Sequence, residues 1–295
     1  MDKILILGAS SLIGKALTDK GIQLGHLCTC VYHRLPDKSK NGIVWDILNN
    51  NLRWIDNLED EYKSLIVLSW VGNKKDERDN KELNMKCAYN IYLCIKKICD
   101  SRKIHQVILC GSQAEYGNIS GKVNEDYRID ERKVSAYGIA KRHLFDKLNK
   151  EQVCEKILEL RFHSVYGYAK YKNQMLVNVI EKALNGEDIF FSTDCRQHFN
   201  YLYVDDAVDI IYEMIDGNFK GIFNVAADKT ARLYEYIEDI LRILKSDSSV
   251  EYGNISEKSD IILDTSKLKN SLMWEQKISF EAGVKNIANK IREAM

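Results

Sequence analysis

The sequence predicts an α/β protein: a doubly wound parallel sheet with a smaller C-terminal lobe. Three observations predict it. The chain opens on an apolar run, Lys3–Leu7, followed at once by a glycine turn and a helical pattern over Gly14–Gly21. Apolar runs then alternate with helical patterns as far as Gly167, the rhythm of strands joined by crossover helices. Leu65–Trp70 is apolar nearly throughout, as a strand covered on both faces must be.

Each element follows in order. His26–Tyr32 reads as the second strand and Ile43–Trp45 as a short third, with Leu65–Trp70 the fourth. Asn80–Ser101 is a long helical pattern. Gln106–Cys110 is a strand ending at Gly111-Ser112. Ser135–Gln152 is helical, and Lys156–Arg161 is a sixth strand. The rhythm then changes: a helix over Asn173–Leu184, a short apolar segment Ile189–Phe191, a strand Tyr201–Val204, a helix Asp206–Met214, a strand Ile222–Val225 and two C-terminal helices. The expected division is a dinucleotide-binding domain over 1–167, to which the chain crosses back near 201–226, and a substrate lobe over 168–200 and 227–295.

The chain has 295 residues, enough for this arrangement and a sizeable core. Lys+Arg and Asp+Glu are both 43, so there is no basic excess for nucleic acid or an anionic membrane surface. An anionic ligand must be met by local donors. No stretch approaches the ~18 apolar residues of a membrane helix, and the N-terminal run is too short for a signal peptide. Eight Cys without paired spacing suit a reducing cytoplasm, where the protein is expected. Cys28 and Cys30 alternate on one strand face and read as small buried hydrophobes; no metal site is expected.

Gly8-Ala-Ser10-Ser11-Leu12-Ile13-Gly14 follows a strand and opens a helix. The first glycine permits the tight turn, the last permits close packing of helix on strand, and backbone N–H groups at the helix start face a pyrophosphate. Ser11 takes the place usually held by a middle glycine, and the Ser10 and Ser11 hydroxyls can donate to phosphate. Tyr32-His33-Arg34 ends the second strand with a cation, Arg34, and no acid, which favours NADP over NAD. Asp46, with Ile47 beside it, suits an adenine contact; a helix cap is the plainer reading of Asp46.

Tyr137 and Lys141 lie at i and i+4, one above the other on a helical face. An ammonium beside a phenol favours the phenolate and fits the tyrosine for proton exchange. With Ser112 ahead of them and a dinucleotide turn at the start of the chain, they form a constellation for hydride chemistry at a C–OH or C=O group.

With these residues assembled, the chain resembles the extended short-chain dehydrogenase/reductase family, the NAD-dependent epimerase/dehydratase group acting on nucleotide sugars. The likeness rests on Gly8–Gly14, on Cys110-Gly-Ser112-Gln-Ala-Glu-Tyr116-Gly117 and on Tyr137-Gly-Ile-Ala-Lys141. It continues through Leu160-Arg161-Phe-His-Ser-Val-Tyr166-Gly167, Tyr201-Leu-Tyr-Val-Asp205-Asp206, Phe223-Asn224-Val and a closing segment with Leu263-Asp-Thr-Ser-Lys-Leu and Trp274. The resemblance implies that Tyr137 exchanges the proton, that Lys141 favours its phenolate and holds the nicotinamide ribose, and that Ser112 hydrogen-bonds the reacting oxygen. It implies that Ser69, Trp70 and Val71 line the cofactor pocket.

Departures narrow the chemistry. Dehydratases of this kind carry Asp-Glu directly after the catalytic Ser or Thr; Gln113 and Ala114 stand there and cannot exchange protons. Epimerase-reductases that make fucose-type sugars place a Cys where Ala114 stands. Redox at one carbinol remains: an NADPH-dependent reductase of a nucleotide-diphosphate-linked 4-keto (6-deoxy)hexose, or alternatively a 4-epimerase holding NAD tightly. A non-catalytic nucleotide sensor on the same fold is a third reading. Gln113, Ser164, Arg196 and Asn200 are the candidate substrate contacts. The family's usual diphosphate-binding Arg aligns with Phe199, and Arg196, Arg232 or Lys258 is its candidate replacement. Asn84 and His163 read as hydrogen-bonded structural residues, Asp205-Asp206 as a helix cap, and Glu115 as pointing outward. The stretches Asn73–Arg78 and Arg128–Lys133 read as solvated loops. Related folds dimerise through two long helices, so a homodimer is expected through Asn80–Ser101 and Ser135–Gln152. There the stripe Ile91, Cys94, Ile95 and Ile98 fits either a partner or the core.

Overall fold

The structure, a computed structural model, describes residues 1–35, 42–72, 75–169, 174–256 and 259–294, with only the backbone of Lys75. Lys258, Asn173 and Asn73 lie outside the described residues.

Seven strands form the central sheet: β1 (Lys3–Leu7), β2 (Leu27–Tyr32), β3 (Ile43–Val44), β4 (Ser64–Val67), β5 (Val107–Ser112), β6 (Ile157–Phe162) and β7 (Gly221–Val225). Their order is β7-β6-β5-β4-β1-β2-β3, and every pairing from β6 across to β3 is parallel. The order reverses beside β1, the place where an open α/β sheet leaves a crevice at the carboxyl ends of its strands. Burial explains the apolar runs: Ile4 to Leu7, Leu65 and Ile66 are fully buried, so each is covered on both faces.

The chain divides into two compact units. The first comprises Met1–Gly117, Tyr127–Phe162 and Val208–Phe223. It carries α1 (Leu12–Gln23), α2 (Lys75–Asp79), α3 (Lys81–Ser101) and α4 (Ala136–Lys150). Asn80 caps α3 and Ser135 caps α4, each accepting a backbone N–H from the first turn. Ile91, Cys94, Ile95 and Ile98 are all fully buried in this unit's own core, so the stripe on α3 serves packing within the chain. The stretch expected as a loop before Arg78 holds α2, a short helix.

The second unit comprises Asn118–Asp126, His163–Ala207 and Asn224–Met295. Helices α5 (Met175–Asn185), α7 (Leu233–Leu244) and α9 (Phe280–Ala294) pack together, and α8 (Ser266–Leu272) makes a third C-terminal helix where two were expected; α6 (Val204–Asp216) begins in this unit. Asn118–Asp126 belongs here because Ser120–Val123, a short strand that no run of apolar residues announces, pairs in parallel with Asp260–Leu263. Asp205-Asp206 lies in the first turn of α6, and the Asp206 carboxylate accepts the N–H groups of Lys277 and Ile278, fixing a distant segment of the same unit.

Candidate active site

The dinucleotide turn is built as a close approach. Gly8 has φ +93°, and a Cβ there would stand 2.8 Å from the Ser69 nitrogen. A Cβ on Gly14 would meet the Gly8 carbonyl at 2.4 Å, so only glycine lets α1 start this close to β1. Ser11 caps α1: its hydroxyl oxygen accepts the Gly14 N–H at 2.9 Å, which leaves its own proton to donate. Leu12 and Ile13 supply first-turn N–H groups that have no partner inside the helix. These are the donors a pyrophosphate requires, and the residues present fit a dinucleotide. His33 and Arg34 are exposed just past β2. Asp46 accepts the Leu48 N–H at 2.9 Å and the Asn49 amide at 2.6 Å, so a turn occupies both carboxylate oxygens, and Ile47 is buried.

Tyr137, in the first turn of α4, is surrounded by three groups. Trp70 meets its ring edge-on, with centroids 5.6 Å apart. The Lys141 ammonium lies 5.3 Å from the Tyr137 ring centre and 4.5 Å from that of Trp70. The Arg78 guanidinium lies 5.1 Å from the Tyr137 ring on an exposed helix, a cation that sequence reasoning assigned to a solvated loop. Trp70 is held by Asn84, which accepts its indole N–H at 3.0 Å and donates to the carbonyls of Glu77 and Asn80 at 2.8 Å each. Asn84 is fully buried; it tethers α2, and so Arg78, to the wall of the site.

Lys141 is almost wholly buried and donates to the Cys110 carbonyl at 2.6 Å. Burial works against its charge, but the nearby Tyr137, Cys110, Glu115 and Glu159 outweigh that cost and raise its pKa above the ordinary lysine value, so it stays an ammonium.

Ser112 ends β5, and α4 reaches it through a second close approach. A Cβ on Gly138 would stand 2.4 Å from the Ala114 carbonyl, so Gly138 seats the helix that carries Tyr137 directly on the loop that follows Ser112. That loop is a single 3-10 turn, Gln113–Tyr116, with Gln113 half-buried. Glu115, expected to point outward, is fully buried: it accepts the Ser112 N–H at 2.7 Å and the Arg161 Nε–H at 3.2 Å. Arg161 also donates to Glu159 at 2.9 Å. Glu159 and Arg161 stand at i and i+2 on β6, one face of a strand otherwise apolar. Two charges on one face of a doubly covered strand demand a buried partner, and that is the signal that could have found Glu115.

The remaining candidates lie in the second unit. His163 is half-buried, with Nε2 at 3.2 Å from the Ile261 carbonyl oxygen and Nδ1 at 3.1 Å from the Ser164 hydroxyl; desolvation of the ring pushes its pKa down to about 4. The Ser164 hydroxyl is thus engaged by its neighbour. Asn200 is buried and donates to the Thr230 hydroxyl at 2.5 Å, while its Oδ1 has no partner among the described residues. Arg196 is exposed. His198 pairs with Asp260, which stands 3.0 Å from Nδ1. Among the described residues, no group of three His, Cys, Asp or Glu could hold a metal ion, and no helix is long and apolar enough to cross a membrane.

Comparison with known proteins places these features in a context. The sequence profile of the NAD dependent epimerase/dehydratase family matches residues 4–226. The chain is 26% identical over 305 residues to the CDP-abequose synthase of Salmonella muenchen, across 97% of this chain and 96% of that one. It is 24% identical to the UDP-N-acetyl-alpha-D-glucosaminuronate decarboxylase of Bacillus cytotoxicus, across 99% of this chain and 98% of that one. Among solved structures, the UDP-glucuronic acid 4-epimerase of Bacillus cereus, in complex with UDP-glucuronic acid and NAD, superposes with a TM-score of 0.83. That match is at 19% identity and covers 99% of this chain and all of that one, a likeness of fold.

Proposed function

The chain belongs to the NAD dependent epimerase/dehydratase family, and from that premise we propose that it is an NADPH-dependent reductase of a nucleotide-diphosphate-linked 4-keto (6-deoxy)hexose. What supports the reading is the Lys141 ammonium 5.3 Å from the Tyr137 ring centre and the close approach of Gly138 to the turn after Ser112, with Gln113 and Ala114 following the serine. That set can deliver and stabilise one proton at one oxygen. It has no acid and base with which to eliminate water. Relatives named for CDP-linked and UDP-linked sugars support the substrate class.

A bound nicotinamide supplies the hydride. The chain's own residues do the rest. The Ser112 hydroxyl and the Tyr137 phenol donate hydrogen bonds to the ketone oxygen, where negative charge develops. Tyr137 gives up its proton, and the buried Lys141 ammonium, held by the Cys110 carbonyl, stabilises the phenolate. Trp70 walls the other edge of the phenol. Arg34, exposed just past β2 in the acid-free stretch Tyr32-His33-Arg34, supports NADPH as the cofactor.

The test is a fluorescence titration with NADPH and NADH, after mass spectrometry of any nucleotide the purified protein carries, followed by turnover on a panel of 4-keto sugar nucleotides. Exchangeable, preferential NADPH binding with ketone-dependent NADPH oxidation is the expected result. Tightly retained NAD with interconversion of 4-epimers would replace this reading with an epimerase, and failure to bind either nucleotide would replace it with a non-catalytic sensor.

A further inference from the structure

We propose that Glu115 is a positioning residue for Ser112, acting through a buried bridge that extends to Lys141. The proposal rests on the catalytic role given to Ser112 above.

The geometry is specific. Glu115 Oε1 accepts the Ser112 backbone N–H at 2.7 Å, and the Ser112 hydroxyl oxygen accepts the Ala114 N–H at 3.2 Å, a reciprocal cap over one turn. The serine's backbone and hydroxyl are therefore both set by this turn. Glu115 Oε2 is braced by Arg161 at 3.2 Å, and the Arg161 guanidinium lies 4.8 Å from the ring of Tyr116. Arg161 also holds Glu159 at 2.9 Å, and Glu159 lines, with Lys141, Cys110, Ser69 and Trp70, a small pocket. One guanidinium thus ties the acid behind Ser112 to the acid beside Lys141. Burial and the neighbouring Glu115 carboxylate raise the Glu159 pKa well above the ordinary carboxylate value.

A capping turn at a protein surface needs only a solvent-exposed Glu. Here both oxygens, the Arg and the second acid are excluded from water, and burying such a network is costly unless every member is satisfied. The cost falls at the one turn that presents Ser112.

Two variants separate positioning from charge balance. Glu115→Gln keeps the reach of the acceptor oxygen and loses the charge. Glu115→Asp keeps the charge and withdraws the oxygen from Ser112 by one methylene. Positioning predicts that Glu115→Gln holds kcat within about threefold while Glu115→Asp loses about 10–100-fold, with NADPH Kd unchanged in both. Amide hydrogen exchange of Ser112 needs no substrate: it should quicken by at least about tenfold in Glu115→Asp and stay slow in Glu115→Gln. The opposite order of the two variants, in either readout, overturns the proposal. Absence of wild-type turnover on any 4-keto sugar would instead count against the reductase reading, and the exchange rates would then decide the role of Glu115 by themselves.

Discussion

The Arg78 guanidinium stands 5.1 Å from the ring centre of Tyr137, and the tyrosine is thereby flanked by two cations of different kinds: Lys141 buried, Arg78 exposed. An exposed cation over an aromatic face is worth about 0.5–1 kcal/mol, and more against a ring that gains negative charge. Arg78→Ala should therefore lower turnover about two- to fivefold while leaving NADPH affinity unchanged. Steady-state kinetics beside a cofactor titration checks this, and an unaltered kcat would remove Arg78 from the site.

Removal of the Tyr137 hydroxyl should be far more damaging. Tyr137→Phe keeps the ring against Trp70 and takes away only the proton donor. General acid catalysis contributes about 10²–10⁴-fold, and a loss of that size in kcat with an intact NADPH titration is expected. Near-normal turnover would show that another group delivers the proton.

Gly138 offers a test of geometry without touching a functional side chain. Its missing Cβ would collide with the Ala114 carbonyl at 2.4 Å, a backbone atom that cannot swing aside. Gly138→Ala should cost about 1–3 kcal/mol of stability, as overpacking does, and should reduce kcat because α4 must move away from the Ser112 turn. Urea denaturation and kinetics on the same sample would show both.

His163 gives the protein an acid limit. Its folded pKa of about 4 lies below the ordinary value of 6.5 because desolvation of the ring disfavours the imidazolium. The unfolded chain takes up this proton first as pH falls, so the contribution is complete above pH 6.5 and is lost progressively down to pH 4. At 1.36 kcal/mol per pKa unit the loss amounts to about 3 kcal/mol. Urea midpoints at pH 7 and pH 4.5 should differ more for the wild type than for His163→Gln.

Much of this was legible in the sequence wherever meaning lies in local spacing. Gly8 to Gly14 and Tyr137 to Lys141 are short-range patterns, and each places its residues by the period of one helix or turn. Asn84 could be read as a hydrogen-bonding residue, though not as the hub between Trp70 and α2, because that depends on which segments meet in space. Glu115 was misread for the same reason. A single Glu in a polar turn looks solvated, and only its pairing with Arg161 on β6 shows otherwise. The strand Ser120–Val123 escaped notice because a two-stranded pairing with Asp260–Leu263 needs little apolar signal.

Gly111 has a consequence for how this sequence can change over time. A Cβ there would lie 2.9 Å from Glu159 Cγ, 3.0 Å from Glu115 Oε1 and 3.1 Å from Arg161 Cγ. The four positions are therefore epistatic. A side chain at Gly111 would have to displace Glu159, Glu115 or Arg161, so the space this glycine leaves is what lets the charged bridge close behind the Ser112 turn.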